Sequence, residues 1–253
     1  MNLYTISYTS TPFTRPSDFM ALGLCKFDDF CILYFVIILQ VDNIIMCFSE
    51  NISLFAFTIG VIGSILVVSL GKIHDKIWGY WFLFLSLMQM IDFFLWRNQT
   101  CDNNNYIISI LGIIFNNLQP IVLGILILVI NTKLSYQDIN TILCILFVYL
   151  CVIVPYSWQC IVKTQCTLKN HNNHMDWKWN FMEYWIIVYF VYLMTCFLLF
   201  YWFVPVYGYL FAYGTLFTFI ISYIFYSKEV GNMWCFFTIF LPIIYYIKTQ
   251  VNL

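Results

Sequence analysis

Short polar turns cut the chain after residue 51 into seven nearly uninterrupted apolar runs: 52–70, 77–96, 106–130, 141–160, 184–204, 206–226 and 233–247. Few folds accommodate such a pattern. In hydrocarbon a segment must satisfy its own backbone polar groups, which only helices and closed barrels do. Runs near the roughly 20 residues that carry a helix across a bilayer point to the helical solution. The expected fold is therefore all-α: a polytopic, seven-transmembrane helix bundle. Composition agrees, with 62% hydrophobic and only 9% charged residues, against roughly 25% charged in a soluble domain. A formal net charge of -1 lacks the basic face that nucleic acid requires. The partner to expect first is the lipid bilayer.

The turns between the runs read clearly. "GKIHDK", "RNQTCDNNN" and "NTKLSYQD" separate the first four spans, and Pro205 joins the fifth to the sixth. Pro155 is tolerable near the end of the fourth span because neighbouring helices can satisfy the carbonyl it frees. The longest polar connection, "IVKTQCTLKNHNNHMDWKWN", precedes the fifth span, and the seventh is short. Residues 1–45 differ, since the apolar run 31–39 is too brief to cross and is followed by Gln40, Asp42 and Asn43. They are expected to form a dispensable extension or an interfacial segment, with the membrane domain at 46–253. A signal peptide fits poorly, as the run lies far from the start and no small-residue cleavage site follows.

The polar residues inside the spans are distributed unevenly. Let face A be the side of the 71–76 turn and face B the side of the 97–105 turn. In "MQMIDFFLWRNQTC" the spacing of Gln89, Asp92 and Trp96 stacks them on one side of a helix. At 1.5 Å per residue, Asp92 lies about 6 Å and Gln89 about 10 Å below face B. Asn116, Asn117 and Gln119 follow in the third span, and Glu183 and Trp234 stand where the fifth and seventh spans meet face B. The face-A half offers mainly Ser69, Ser86 and Ser222, which can bond back to their own helices. Asparagine and glutamine in membranes often do no more than cross-link helices. An ionisable side chain at such depth marks a candidate site facing the bundle or a wet cavity. Asp92 has a further option, pairing with Arg97. Trp96, Trp158, Trp177, Trp179, Trp185 and Trp234 lie near face B, where an aromatic belt is the simplest account. His171 and His174 form a loop H-x-x-H, which lacks the additional ligands a metal needs, so no metal or cofactor is assigned.

Lysine and arginine do not orient the chain, because both faces carry them. Cys47, Cys101, Cys160, Cys166 and Cys235 all fall on face B, as does the sequon Asn98-Gln99-Thr100. Both features favour a lumenal or extracytoplasmic face B.

From Met46 onwards "MCFSENISLFAF", "LMQMIDFFLWRN", "NNLQP", "HMDWKWNF" and "GNMWCFF" occur in order. This series resembles a family of multi-pass membrane proteins of large DNA viruses, a domain of unknown function. Its members open Met-Cys-Trp/Phe-Asn/Ser and continue with Gln-x-x-Glu-Phe-x-x-Trp, Leu-Gln-Pro and Gly-Ser-Met-Trp-Cys. Bacterial proteins opening Met-Cys-Phe-Ser are more distantly similar. The resemblance covers Met46 to about Lys248 and implies a host or virion membrane as the location. It offers no catalytic residue. Two positions depart from the pattern: Asp92 stands where the family has Glu, and Asn232 where it has Ser. Cys47 and Cys235 match motif positions at the face-B ends of the first and last spans. If the bundle closes into a ring, they are candidates for a disulfide or a shared metal, or are two separate thiols.

Three functions compete. The polar cluster could bind or transport a small molecule or proton, with Asp92 as its ionisable member. It could instead serve only helix packing in a structural or assembly protein of a large DNA virus. An intramembrane metal hydrolase would need three ligands at one depth, and the histidines do not supply them. A retinal protein is set aside because 233–247 holds no lysine, and a G-protein-coupled receptor because "NTK" stands where an acidic-Arg-aromatic element belongs.

Overall fold

The computed structural model describes residues 49–163, 166–170, 175–177, 179, 182–204, 208–225 and 230–251, which lie in the compact unit Cys47–Leu253. The expectations for residues 1–45, for Cys47 and for His171 and His174 fall outside the described residues. Eight helices follow in order: α1 Glu50–Ser69, α2 Ile73–Arg97, α3 Asn103–Ile130, α4 Tyr136–Lys163, α5 Trp185–Phe203, α6 Gly208–Phe225, α7 Val230–Thr238 and α8 Leu241–Val251. Between α4 and α5, β1 (Leu168–Lys169) pairs antiparallel with β2 (Met175–Asp176).

The all-α, multi-pass architecture is what the apolar runs dictate. Among the described residues six stretches are long and apolar enough to cross a bilayer: α1 to α5 and Val230–Val251. The apolar part of α6, Phe211–Ile224, is shorter. The last run is not one rod: it starts at Val230 and breaks between α7 and α8. Pro242 explains the break, because it has no N–H to give the preceding turn. Thr238 adds to it by turning its hydroxyl back onto Trp234 O at 2.8 Å, a habit that bends helices.

Helix α2 is the hub, packed by α1, α3, α7 and α8. Small residues let α1 approach it: a Cβ on Gly60 would strike Ser86, and one on Gly79 would lie 2.8 Å from Ser64 O. In lipid, where apolar burial gives helices no reason to associate, such close packing drives association. The first span also packs on the last, with Gly63 against Pro242 and Ile243. Gly71, at φ +83°, makes the tight turn from α1 to α2. Within the bundle Trp78, Trp81, Phe82 and Phe200 are buried, whereas Phe55, Ile65, Phe147 and Phe190 point outward into what must be lipid. Ser69, Ser86 and Ser222 bond back to Leu66, Phe82 and Thr218 carbonyls, as anticipated.

Pro120 interrupts α3 without unfolding it. Nearby carbonyls take bonds from other helices: Tyr149 donates to Asn117 O at 2.8 Å and Trp81 Nε1 to Gln119 O at 3.0 Å.

Candidate functional site

The polar residues of α2 and α3 converge inside the bundle beneath face B. Gln89, Asp92 and Gln119 are 1%, 1% and 0% exposed. Asp92 Oδ1 accepts a 3.0 Å bond from Trp177 Nε1. Gln119 Oε1 accepts the Tyr192 hydroxyl of α5. Cys235, on α7, lies beside the Gln119 amide and within the field of Asp92. Trp234 is buried next to it, its indole nitrogen donating to Thr215 O at 3.0 Å and its ring set edge-on to Tyr192. Four helices thus contribute to one polar core.

Several of its atoms lack a protein partner. Asp92 Oδ2, Gln89 Nε2, Gln119 Nε2 and Trp179 Nε1 are all buried without a hydrogen bond. Leaving such groups unpaired is costly in a low-dielectric interior, so these atoms identify the place in the bundle that favours a polar guest. The adjoining void is small. A partly open gap of about 10 Å³ lies among Asn116, Asn117, Tyr156, Trp179 and their neighbours, close to the roughly 10–15 Å³ one water needs. With Asp92, Gln89 and Gln119 cut off from solvent, the polar core faces the bundle interior.

The closure comes from the α4–α5 connection, whose role the sequence did not reveal. A disulfide joins Cys101, between α2 and α3, to Cys166. Next to it the Asn105 side chain clamps Thr167, donating to its carbonyl at 2.8 Å and accepting from its N–H at 2.9 Å. Gln99 Oε1 accepts from Lys169 N at 2.7 Å. So tethered, the connection sends Trp177 and Trp179 into the bundle, where they stack at 5.1 Å between ring centroids. Trp177 reaches Asp92, while Trp179 packs where a Cβ on Gly112 would sit 3.0 Å away. Tyr156 holds the Trp179 carbonyl at 2.6 Å.

Other expectations need correction. Glu183 is exposed in the turn before α5 and does not join the core; Tyr184, with its left-handed backbone, starts the helix beyond it. Trp96 is half-buried, with its indole nitrogen buried and without a hydrogen bond. Arg97 pairs with Glu50 at 3.4 Å on the surface instead of with Asp92. Asn117 cross-links α3 to α4 through Ser157 at 2.8 Å, with Asn116 donating to it at 3.3 Å. The belt account holds for Trp158, which is exposed, but Trp177, Trp179 and Trp234 are core residues. The disulfide on face B is formed by a pair other than the one considered, and Cys235 is a free thiol. Asn98 of the sequon caps α2, its amide bonded to Phe94 O at 2.7 Å.

A second buried acid went unrecognised. Asp75 reads as part of a polar turn, yet α2 begins at Ile73 and turns Asp75 inward, 0% exposed. Its Oδ1 accepts the Tyr245 hydroxyl of α8 at 2.8 Å and lies 3.2 Å from His74 Nε2, and Oδ2 takes Lys72 N at 3.3 Å. Face A therefore has a polar centre of its own. No three His, Cys, Asp or Glu side chains gather as a metal site among the described residues. Neither a family model, nor a curated protein, nor a solved structure matches the chain.

Proposed function

We propose that this integral membrane protein takes up a proton or a small polar molecule at Asp92, with the amides of Gln89 and Gln119 as neighbouring hydrogen-bond groups. One observation carries the reading: the Asp92 Oδ2 oxygen and the Gln89 amide nitrogen lie buried and unpaired, with the Gln119 amide facing only the Cys235 thiol. A packing role alone would pair them, and an ionisable group held this way inside a membrane is ordinarily functional. Trp177 and Trp179 then form the closure that separates Asp92 from face B.

Seven crossings are part of the proposal. Phe203, at the end of α5, lies beside Asn131 on face A, whereas Cys235 in α7 lies near Asp92. Helix α6 joins the two, with Phe211 edge-on to Tyr245 and Phe219 edge-on to Trp234. That favours α6 as a seventh crossing despite its length. The Cys101–Cys166 bond supports an oxidising, lumenal or extracytoplasmic face B. The ordered motifs favour kinship with the membrane proteins of large DNA viruses.

A structural role is the alternative, favoured by the Asn117–Ser157 and Tyr149–Asn117 cross-links and by the small void. Asp92→Asn separates the two. In proteoliposomes loaded with a pH dye under an imposed potential, proton uptake should fall to the level of protein-free vesicles, while the variant still elutes as a single folded species. A variant that keeps wild-type uptake, or a wild-type protein with none and no co-purified small molecule, would leave the packing role standing.

A further inference from the structure

On face A the α1–α2 turn, the α3–α4 turn and the end of α5 enclose a recess of about 410 Å³. Lys72 is the N-cap residue of α2, and Lys133 lies two residues beyond Asn131, the C-cap of α3. Both line the recess and both are exposed, and neither forms an ion pair with a described residue. One acid, Asp138, also lines the recess, so the two lysines outnumber it, and its carboxylate is turned to its own helix start. Asp138 Oδ2 accepts the Ser135 N–H at 2.9 Å and its hydroxyl at 2.8 Å, and Asp75 is buried behind His74 under the Tyr245 hydroxyl. Asn131 fixes the α3–α4 turn, since its Oδ1 accepts Lys133 N at 3.3 Å and its amide donates to Phe203 O at 3.4 Å.

Two further features define what fits. The recess opens onto the first turn of α2, a helix of 25 residues, whose dipole favours an anion. Trp202 forms part of the rim and is 58% exposed, an indole at the level where membrane tryptophans meet lipid headgroups. The volume is that of a small-molecule site and larger than a bare ion needs.

We propose that this recess binds the phosphate group of a phosphate ester, with Lys72 and Lys133 as its cationic contacts and Trp202 flanking the rest of the molecule. The ester is either a membrane phospholipid or a soluble metabolite. The test uses the full chain in detergent. Native mass spectrometry compares retention of phosphatidylglycerol with that of diacylglycerol, which has the same tails and no phosphate. Thermal shift with millimolar inorganic phosphate probes the soluble source.

The expected result is preferential retention of phosphatidylglycerol that drops about tenfold or more in the Lys72→Gln/Lys133→Gln double variant. Lys76→Gln, on the same face but outside the recess, should retain it. Stabilisation by inorganic phosphate that the double variant loses, without selective lipid retention, assigns the site to a soluble ester. Lipid retention and phosphate response that are equal in wild type and double variant overturn the proposal, as does an equal drop in Lys76→Gln. Should the double variant aggregate, Lys133→Gln alone, in an exposed turn, gives the same comparison.

Discussion

Asp75 and Asp92 are buried on the same helix, and their surroundings set them apart. Asp75 has a hydroxyl, a backbone N–H and an imidazole around it, whereas Asp92 has one indole N–H and an oxygen with nothing. The first arrangement reads as structural and the second as available. Removing the hydroxyl in Tyr245→Phe should therefore cost about 1–3 kcal/mol, the usual penalty for stranding a buried acceptor. A lowered Tm in detergent, with Asp92-dependent uptake intact, would check it. The sequence revealed Asp92 because it interrupts an apolar run, and hid Asp75 because a short acid next to Gly, Lys and His reads as a turn. Only the start of α2 at Ile73 and the return of Tyr245 from α8 bury it. Glu183 fails for the opposite reason: proximity to a span end does not say whether a side chain points in or out.

At the level of helices, the apolar runs located α1 to α5 to within a few residues, because hydrocarbon permits little else. The break in the last span was not legible from hydropathy, which Pro242 leaves almost unchanged. Nor was the inward placement of Trp177 and Trp179, which look like interfacial residues until the disulfide and Asn105 tether 166–167 beside them. Cysteine spacing alone could not select the pair. The α1–α2 contact offers a clean test of packing. Gly79→Val would push a branched side chain into Ser64 O and Val68, and overpacking of this kind costs about 1–3 kcal/mol. The expected outcome is a lower melting temperature and less folded protein by size-exclusion chromatography. An outward-facing control, Phe147→Val on α4, should change neither.

Among the described residues, a polar centre lies towards each end of α2, with buried aromatic side chains between them. The Cys101–Cys166 bond adds a consequence beyond anchoring a loop. It makes residues 101–166 a covalent ring that leaves face B through α3, turns at 131–135 on face A and comes home through α4. Trypsin cutting after Lys133 from the face-A side would thus nick the backbone without parting it. On a denaturing gel the nicked chain should migrate near full length until a reductant is added, then fall into two pieces. Release of the piece that begins at Leu134 without reductant would mean that no such ring exists.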